Sequence, residues 1–276
     1  MIPTHTALRY IVPLREGGSL PAILETDGGS FVVKFRGAGQ GARALIAEII
    51  VGHFAAALGF DIPSLALVEL DASFGRSERD PEIQDILKAS EGTNVGLRYL
   101  EGAFNYDPVA LHDIDPDLAA RVVWLDALVT NIDRTARNPN LLYWNDKLWL
   151  IDHGAALYFH HNWASLDDAR KRSAFPPIRD HVLMPFAGDI AAADAELAPR
   201  LTPELLRQTI DMIPDDLLMD APAGTEPAFA TAEENRAAYI DYFTARLAGP
   251  REFAEEAIRA RERMRNETPV SVKARR

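Results

Sequence analysis

Asn131-Ile132-Asp133-Arg134-Thr135-Ala136-Arg137-Asn138-Pro139-Asn140 opens the most informative stretch of this 276-residue sequence, which closes at Ile151-Asp152-His153-Gly154. Between the two ends, Leu141-Leu142-Tyr143-Trp144 and Leu148-Trp149-Leu150-Ile151 flank the polar Asn145-Asp146-Lys147, the pattern of an apolar hairpin around a tight turn. A loop, a hairpin and a second loop would bring Asp133, Asn138 and Asp152 to one end of the hairpin. Taken singly these are ordinary turn residues, because Asp and Asn dominate loops. Turn chemistry does not set the distance between two loops, so the trio at this spacing points to a shared site.

Grouped hard oxygen donors suit Mg²⁺, which takes one or two carboxylates and fills its shell with water and substrate phosphates. Phosphoryl-transfer enzymes of the kinase type use such a set: one Asp orients the attacking hydroxyl, and an Asn and a later Asp-x-Gly aspartate hold metal.

Upstream, residues 7–35 read as three antiparallel strands. Leu8–Leu14 is broken by Arg15-Glu16-Gly17-Gly18-Ser19, Pro21–Thr26 follows, and Asp27-Gly28-Gly29 is a strong hairpin signal before Ser30–Phe35. Gly17 and Gly18, beside Ser19, either let the backbone approach phosphates or make an ordinary turn. Lys34 lies between Val33 and Phe35 and faces the opposite side of its strand. The next element, Ala42–Leu58, is helical, with Leu45, Ile49 and Ala56 on one stripe and Ile46, Ile50 and His53 beside it. Glu48 is the only carboxylate of that helix. Alone, Lys34 and Glu48 read as solvent-facing charges; with the downstream trio they read as the strand-lysine and helix-glutamate pair that holds ATP phosphates in kinases.

Gly37-Ala38-Gly39-Gln40-Gly41-Ala42 also fits a dinucleotide fingerprint, with Asp61 near the expected distance. The preceding strand of such a fold is buried on both faces, and Lys34 argues against that. The glycines are better read as a mobile strand-to-helix connection. Asn94–Gly102 gives a further strand. Leu118, Val122, Leu125 and Val129 share one face of a helix with Asp117 in its first turn. His160 and His161 invite a metal reading, but adjacent side chains on a strand diverge. Residues 155–185 read as a long loop suited to substrate contact or regulation, residues 203–264 as mostly helical, and 266–276 as a disordered tail.

Composition narrows the class. Charged residues make 25% of the chain and hydrophobic ones 47%, as in globular proteins, and the net charge of −12 argues against a nucleic-acid partner. With no cysteine, disulfides, thiolate metal sites and cysteine nucleophiles are excluded. No apolar run has the length of a membrane span and the N-terminus carries no signal pattern, so the expected location is cytoplasmic.

The chain resembles the HipA-like kinases, in particular a short bacterial branch consisting of little more than the kinase domain. The resemblance rests on Phe31-Val32-Val33-Lys34-Phe35-Arg36-Gly37, the helix with Glu48, Gly59-Phe60-Asp61-Ile62-Pro63, the 131–140 run and Ile151-Asp152-His153-Gly154. It implies an α+β, two-lobed protein-kinase-like fold, with an antiparallel-sheet N-lobe over 1–102 and a mostly helical C-lobe over 103–265. It implies Mg-ATP use, with Asp133 as catalytic base, Asn138 and Asp152 as metal ligands, Lys34 on the phosphates and Glu48 as its partner. Asn140 could replace Asn138 as ligand. The connecting hinge would lie at Tyr99, Leu100 and Glu101, facing the adenine, and Gly17, Gly18 and Ser19 would cover the phosphates, with Ser19 a candidate for autophosphorylation. The chain departs from eukaryotic protein kinases in Asn-Ile-Asp for His-Arg-Asp, in Asp-His-Gly for Asp-Phe-Gly, and in lacking Ala-Pro-Glu. The expected reaction is ATP-dependent phosphorylation of Ser or Thr in a protein substrate. The alternatives are a small-molecule or lipid hydroxyl as acceptor, or a nucleotide-binding pseudokinase acting as a partner module.

Overall fold

The computed structural model describes residues 1–14, 20–39, 41–76, 78–108, 114–221 and 225–267. Its first part is a five-stranded barrel built from β1 (Thr4–Pro13), β2 (Ala22–Thr26), β3 (Gly29–Lys34), β4 (Leu65–Leu70) and β5 (Gly92–Arg98). The strand order is β1-β2-β3-β5-β4. Four of the pairings are antiparallel, but the ring closes where β1 runs parallel to β4, with Thr4 opposite Leu67 and Thr6 opposite Glu69. The expected open antiparallel sheet is therefore a closed, mixed one. Closure satisfies both edges of the sheet, and it depends on two strands about sixty residues apart, which local patterning does not report. Leu24, Phe31, Val33, Ala66 and Val68 fill the barrel interior.

Two helices lie between barrel strands: α1 (Ala42–Leu58) and α2 (Pro81–Ala89). In α1, twelve of seventeen residues are buried, Glu48 among them, and they are distributed all round the helix. Ala56, placed on the buried stripe by periodicity, is exposed. A helix packed on every side has no stripe to read. Gly59 ends it in the left-handed conformation (φ 86°), with its N–H on the carbonyls of Ala55 and Ala56.

The remainder is mostly helical: α3 (Pro116–Leu128), α4 (Asp168–Lys171), α5 (Ile190–Leu197), α6 (Pro203–Asp211), α7 (Asp215–Leu218), α8 (Ala232–Leu247) and α9 (Glu252–Glu267). Asn266 and Glu267, expected in the tail, belong to α9; residues 268–276 lie outside the described residues. The apolar residues of α1 share one continuous core with those of α3 and the later helices. Asp115 caps α3 by accepting from the Asp117 N–H at 3.0 Å, with Pro116 in the first turn. At the other end of α3, the buried Arg246 of α8 donates to the carbonyls of Ala127 (2.9 Å) and Leu128 (2.7 Å), so the last turn is held by a cation.

A small second sheet is formed by β6 (Phe104–Asn105), β7 (Leu141–Trp144) and β8 (Lys147–Leu150), in the order β6-β7-β8. The hairpin turns on Asn145 (φ 48°) and Asp146 (φ 59°), both left-handed as the tightest hairpin turn demands. His160 and His161 sit on a 3₁₀ turn (Tyr158–His161), not on a strand. His160 is buried and hydrogen-bonded through Nδ1 to the Tyr239 hydroxyl at 2.9 Å, so it is a packing feature, whereas His161 is half-buried.

Candidate active site

The barrel end, the start of α1 and the 131–154 stretch enclose a cavity of about 1220 Å³. Lys34, Asp133, Asn138, Asn140 and Asp152 all line it. Lys34 ends β3 pointing toward α1, where its Nζ meets Glu48 Oε1 and, on the cavity side, Asp152 Oδ1. With the downstream trio, the sequence favoured a Lys34–Glu48 pair; the structure makes it and adds Asp152. Glu48 has no exposed side-chain surface, whereas 35% of the Asp152 side chain is accessible.

Gly154 lies against this cluster: a Cβ there would stand 3.3 Å from Lys34 Nζ, 3.4 Å from Ala44 Cβ and 3.6 Å from Glu48 Oε1, a tight fit beside the lysine. The electrostatics follow from burial and pairing. Burial opposes the charge on Lys34, but Glu48 and Asp152 outweigh it and hold the ammonium above its usual range. Burial pushes the Glu48 carboxyl up despite Lys34. Burial also works against Asp152, but Lys34 wins and its carboxyl lies below the usual value.

Asp133 is half-buried and its Oδ2 accepts from Asn138 Nδ2 at 2.7 Å and Asn140 Nδ2 at 3.3 Å. Its backbone N–H donates to Asn131 Oδ1 at 3.1 Å. With both amide nitrogens turned to Asp133, the amide oxygens of Asn138 and Asn140 are left as cation donors. Asn138 is exposed and Asn140 largely buried, and the structure brings both candidate ligands to Asp133, where the sequence reading chose between them as partners of Asp152 on a metal. Asn140 (φ 48°) and Asp152 (φ 53°) are both left-handed, strain of the kind that collects at functional sites.

Tyr99 and Leu100 line the cavity beside these groups, but Glu101 does not. Its carbonyl is taken by Trp144 Nε1 at 2.9 Å, which draws the residue to the hairpin side. Gly17, Gly18 and Ser19 lie outside the described residues. The residues that bracket their segment, Leu14 and Pro21, do line the cavity, and the Leu14 N–H donates to the Pro21 carbonyl at 2.7 Å.

Sequence reasoning passed over a second cluster directly behind the cavity wall. Asp126 of α3 is fully buried; its Oδ1 accepts from Asn131 Nδ2 (3.0 Å) and its Oδ2 from Arg134 Nε (2.6 Å) and His181 Nε2 (2.8 Å). Burial opposes its charge, but Arg134 and His181 hold the carboxyl far below its usual range. The signal was present: one acid inside the apolar run Val122-Val123-Trp124-Leu125-Asp126-Ala127-Leu128 has to be paired.

The fold is one that kinases use. The crystal structure of a Helicobacter pylori proinflammatory kinase, CtkA, is similar to it with a TM-score of 0.54 and 12% identity, over 96% of this chain and 99% of that one. The HipA-like kinase family matches residues 14–238, and the chain belongs to that family. No curated protein matches the sequence. No helix among the described residues is long and apolar enough to cross a membrane.

Proposed function

We propose that this kinase has two lobes, 1–102 and 103–265, and transfers the γ-phosphate of Mg-ATP to a serine or threonine hydroxyl of a protein substrate. The observation that carries the reading is the ion cluster at the cavity wall: a buried lysine shared between a buried glutamate and a half-open aspartate, with a second aspartate and an asparagine in the same cavity.

The donor set fits Mg²⁺. Asp152 offers a partly accessible carboxylate, and Asn138 an amide oxygen whose nitrogen is already engaged by Asp133. Among the described residues no three His, Asp or Glu side chains converge as a metal cage, and a site that leaves most of the shell to water and phosphate needs none. Bound Mg-ATP would supply the transferable phosphoryl group and the charge that neutralises it. The remaining work falls to side chains. Lys34, oriented by Glu48, meets the phosphates; Tyr99 and Leu100 place the base; Asp133 accepts the proton of the attacking hydroxyl. Asn138 holds the Asp133 carboxylate in position before any substrate arrives.

Transfer of ³²P from γ-labelled but not α-labelled ATP to an acceptor tests the reaction. Asp133→Asn should keep nucleotide binding and lose turnover by about 10²–10⁴-fold, the usual contribution of general acid–base catalysis. Asp152→Asn should chiefly lose Mg²⁺-dependent nucleotide binding. Transfer of neither label would identify a pseudokinase, and transfer of the α label an adenylylating enzyme.

A further inference from the structure

Arg134 follows Asp133 in the chain, is 1% exposed, and takes no part in the chemistry above. Its guanidinium nevertheless reaches three separate stretches. Nε donates to Asp126 Oδ2 on α3 (2.6 Å); Nη1 donates to the carbonyl of Asn140 and, at 3.3 Å, to that of Ile151; Nη2 lies 3.1 Å from His153 Nδ1. Asn140 precedes the hairpin, and Ile151 and His153 flank Asp152. One side chain therefore holds the backbone at Asn140 and at Ile151, the left-handed residue Asn140 itself and the residue just before the left-handed Asp152.

We propose that Arg134 is a positioning residue that fixes the distance between Asp133 and Asp152, and with it the geometry in which a metal and a hydroxyl meet. The inference rests on the roles given to those two aspartates above. Each partner of Arg134 is an acceptor, and they are arranged as a fork: a carboxylate, two carbonyls and an imidazole nitrogen. A lysine presents its donors from one point and cannot span them. The hydrogen bonds also fix the tautomers. His153 Nδ1 has to accept from Arg134, because the guanidinium Nη2 at 3.1 Å carries only donors. His181 Nδ1 accepts from the Leu183 N–H at 3.0 Å, which leaves Nε2–H for Asp126. The Arg134 carbonyl in turn accepts from the Val182 N–H at 3.0 Å. Every polar group facing the guanidinium is thus committed, and the two aspartates stand at the margins of one rigid block.

A buried cation that only stabilised the fold would change unfolding and nothing else, so the test uses Arg134→Lys in the full chain, with circular dichroism and urea unfolding to verify folding. kcat should fall by about 100-fold, the effect of a misplacement of about 1 Å. The Mg²⁺ concentration for half-maximal activity should rise about 10-fold, as for other groups that orient metal ligands, while KM for ATP stays within about 3-fold. A folded Arg134→Lys with wild-type kcat and Mg²⁺ dependence overturns the proposal. If that variant does not fold, His153 decides. His153→Asn keeps an acceptor near Nδ1 and should retain far more activity than the similarly sized His153→Leu; equal kcat and equal Mg²⁺ dependence in the two overturns the proposal. Should the wild type transfer no γ-phosphate, the kinase reading fails by itself. Arg134 is then judged by Mg²⁺-dependent binding of a fluorescent ATP analogue, where a raised Mg²⁺ requirement in Arg134→Lys supports the proposal and an unchanged one refutes it.

Discussion

Two buried charge clusters lie back to back in this protein, and they are built on opposite plans. The front cluster has one cation, Lys34, between two carboxylates, and one of those, Asp152, opens to the cavity. Glu48 Oε2 has no hydrogen-bond partner among the described residues. The rear cluster has one carboxylate, Asp126, receiving Asn131, Arg134 and His181, and its side chains are wholly enclosed. An unbalanced, partly open cluster can exchange partners when a polyphosphate or cation arrives. A closed and satisfied one cannot, and that suits it to hold the first in place. On the proposed function, chemistry and rigidity would thus fall to neighbouring but separate groups.

The sharpest way to break this contrast is Asp126→Ala, which leaves Arg134 buried beside no carboxylate. It should cost about 3–5 kcal/mol, the range for removing one partner of a buried pair, read as a drop in the urea midpoint. A loss below 1 kcal/mol would mean the rear cluster is no scaffold.

Lys34→Ala is the counterpart at the front. Phosphoryl transfer should disappear, but the stability cost should be smaller, about 1–3 kcal/mol, because Glu48 can take up a proton and its carboxyl is already pushed upward. A stability loss as large as that of Asp126→Ala would erase the distinction between the two clusters.

Acid should weaken the protein through its buried imidazoles, His160 and His153 among them, and a substitution isolates the share of His153 beside the rear cluster. His153 has a folded value of about 3 against the usual 6.5, so below pH 6.5 the unfolded chain binds a proton that the folded one refuses. Its contribution is complete above pH 6.5 and falls as the pH drops toward 3, by about 2 kcal/mol at pH 5. Unfolding midpoints measured from pH 7.5 to 5 should decline in the wild type and decline less in His153→Asn. Parallel curves would show that His153 is not held neutral.

The smallest effect is expected outside both clusters. Asp146, at φ 59° in the hairpin turn, should accept glycine with a gain of about 0.5 kcal/mol, since glycine carries no penalty for left-handed backbone. A loss on Asp146→Gly would show that the aspartate side chain contributes to the turn.

Legibility followed the same division. Asp133, Asn138 and Asp152 could be singled out because their spacing and the hairpin between them are local. Lys34 and Glu48 required a guess that strand and helix face each other, and the structure joins them. Asn131 and Arg134 follow Asp126 by only five and eight residues, but His181 lies fifty-five residues from Asp126, with which it shares a bond of 2.8 Å, so the cluster as a whole and the part of His153 in it were not legible. Glu101 was assigned to the hinge by order along the chain, and Trp144, forty-three residues later, draws its carbonyl away.

What the sequence by itself determined is therefore the local grammar: the polar turn at Asn145-Asp146-Lys147, the helix over Ala42–Leu58, and the oxygen-bearing side chains of the 131–154 stretch. Each follows from contacts within a few residues, where backbone sterics and short hydrogen bonds dominate. Only the tertiary structure decided that β1 and β4 close the barrel, that α1 is buried on every face, and that Lys34 reaches Asp152 across 118 positions of chain. Those features are set by which surfaces exclude water together and by which buried charges have to find a counterion, and neither condition can be read from a residue and its neighbours alone.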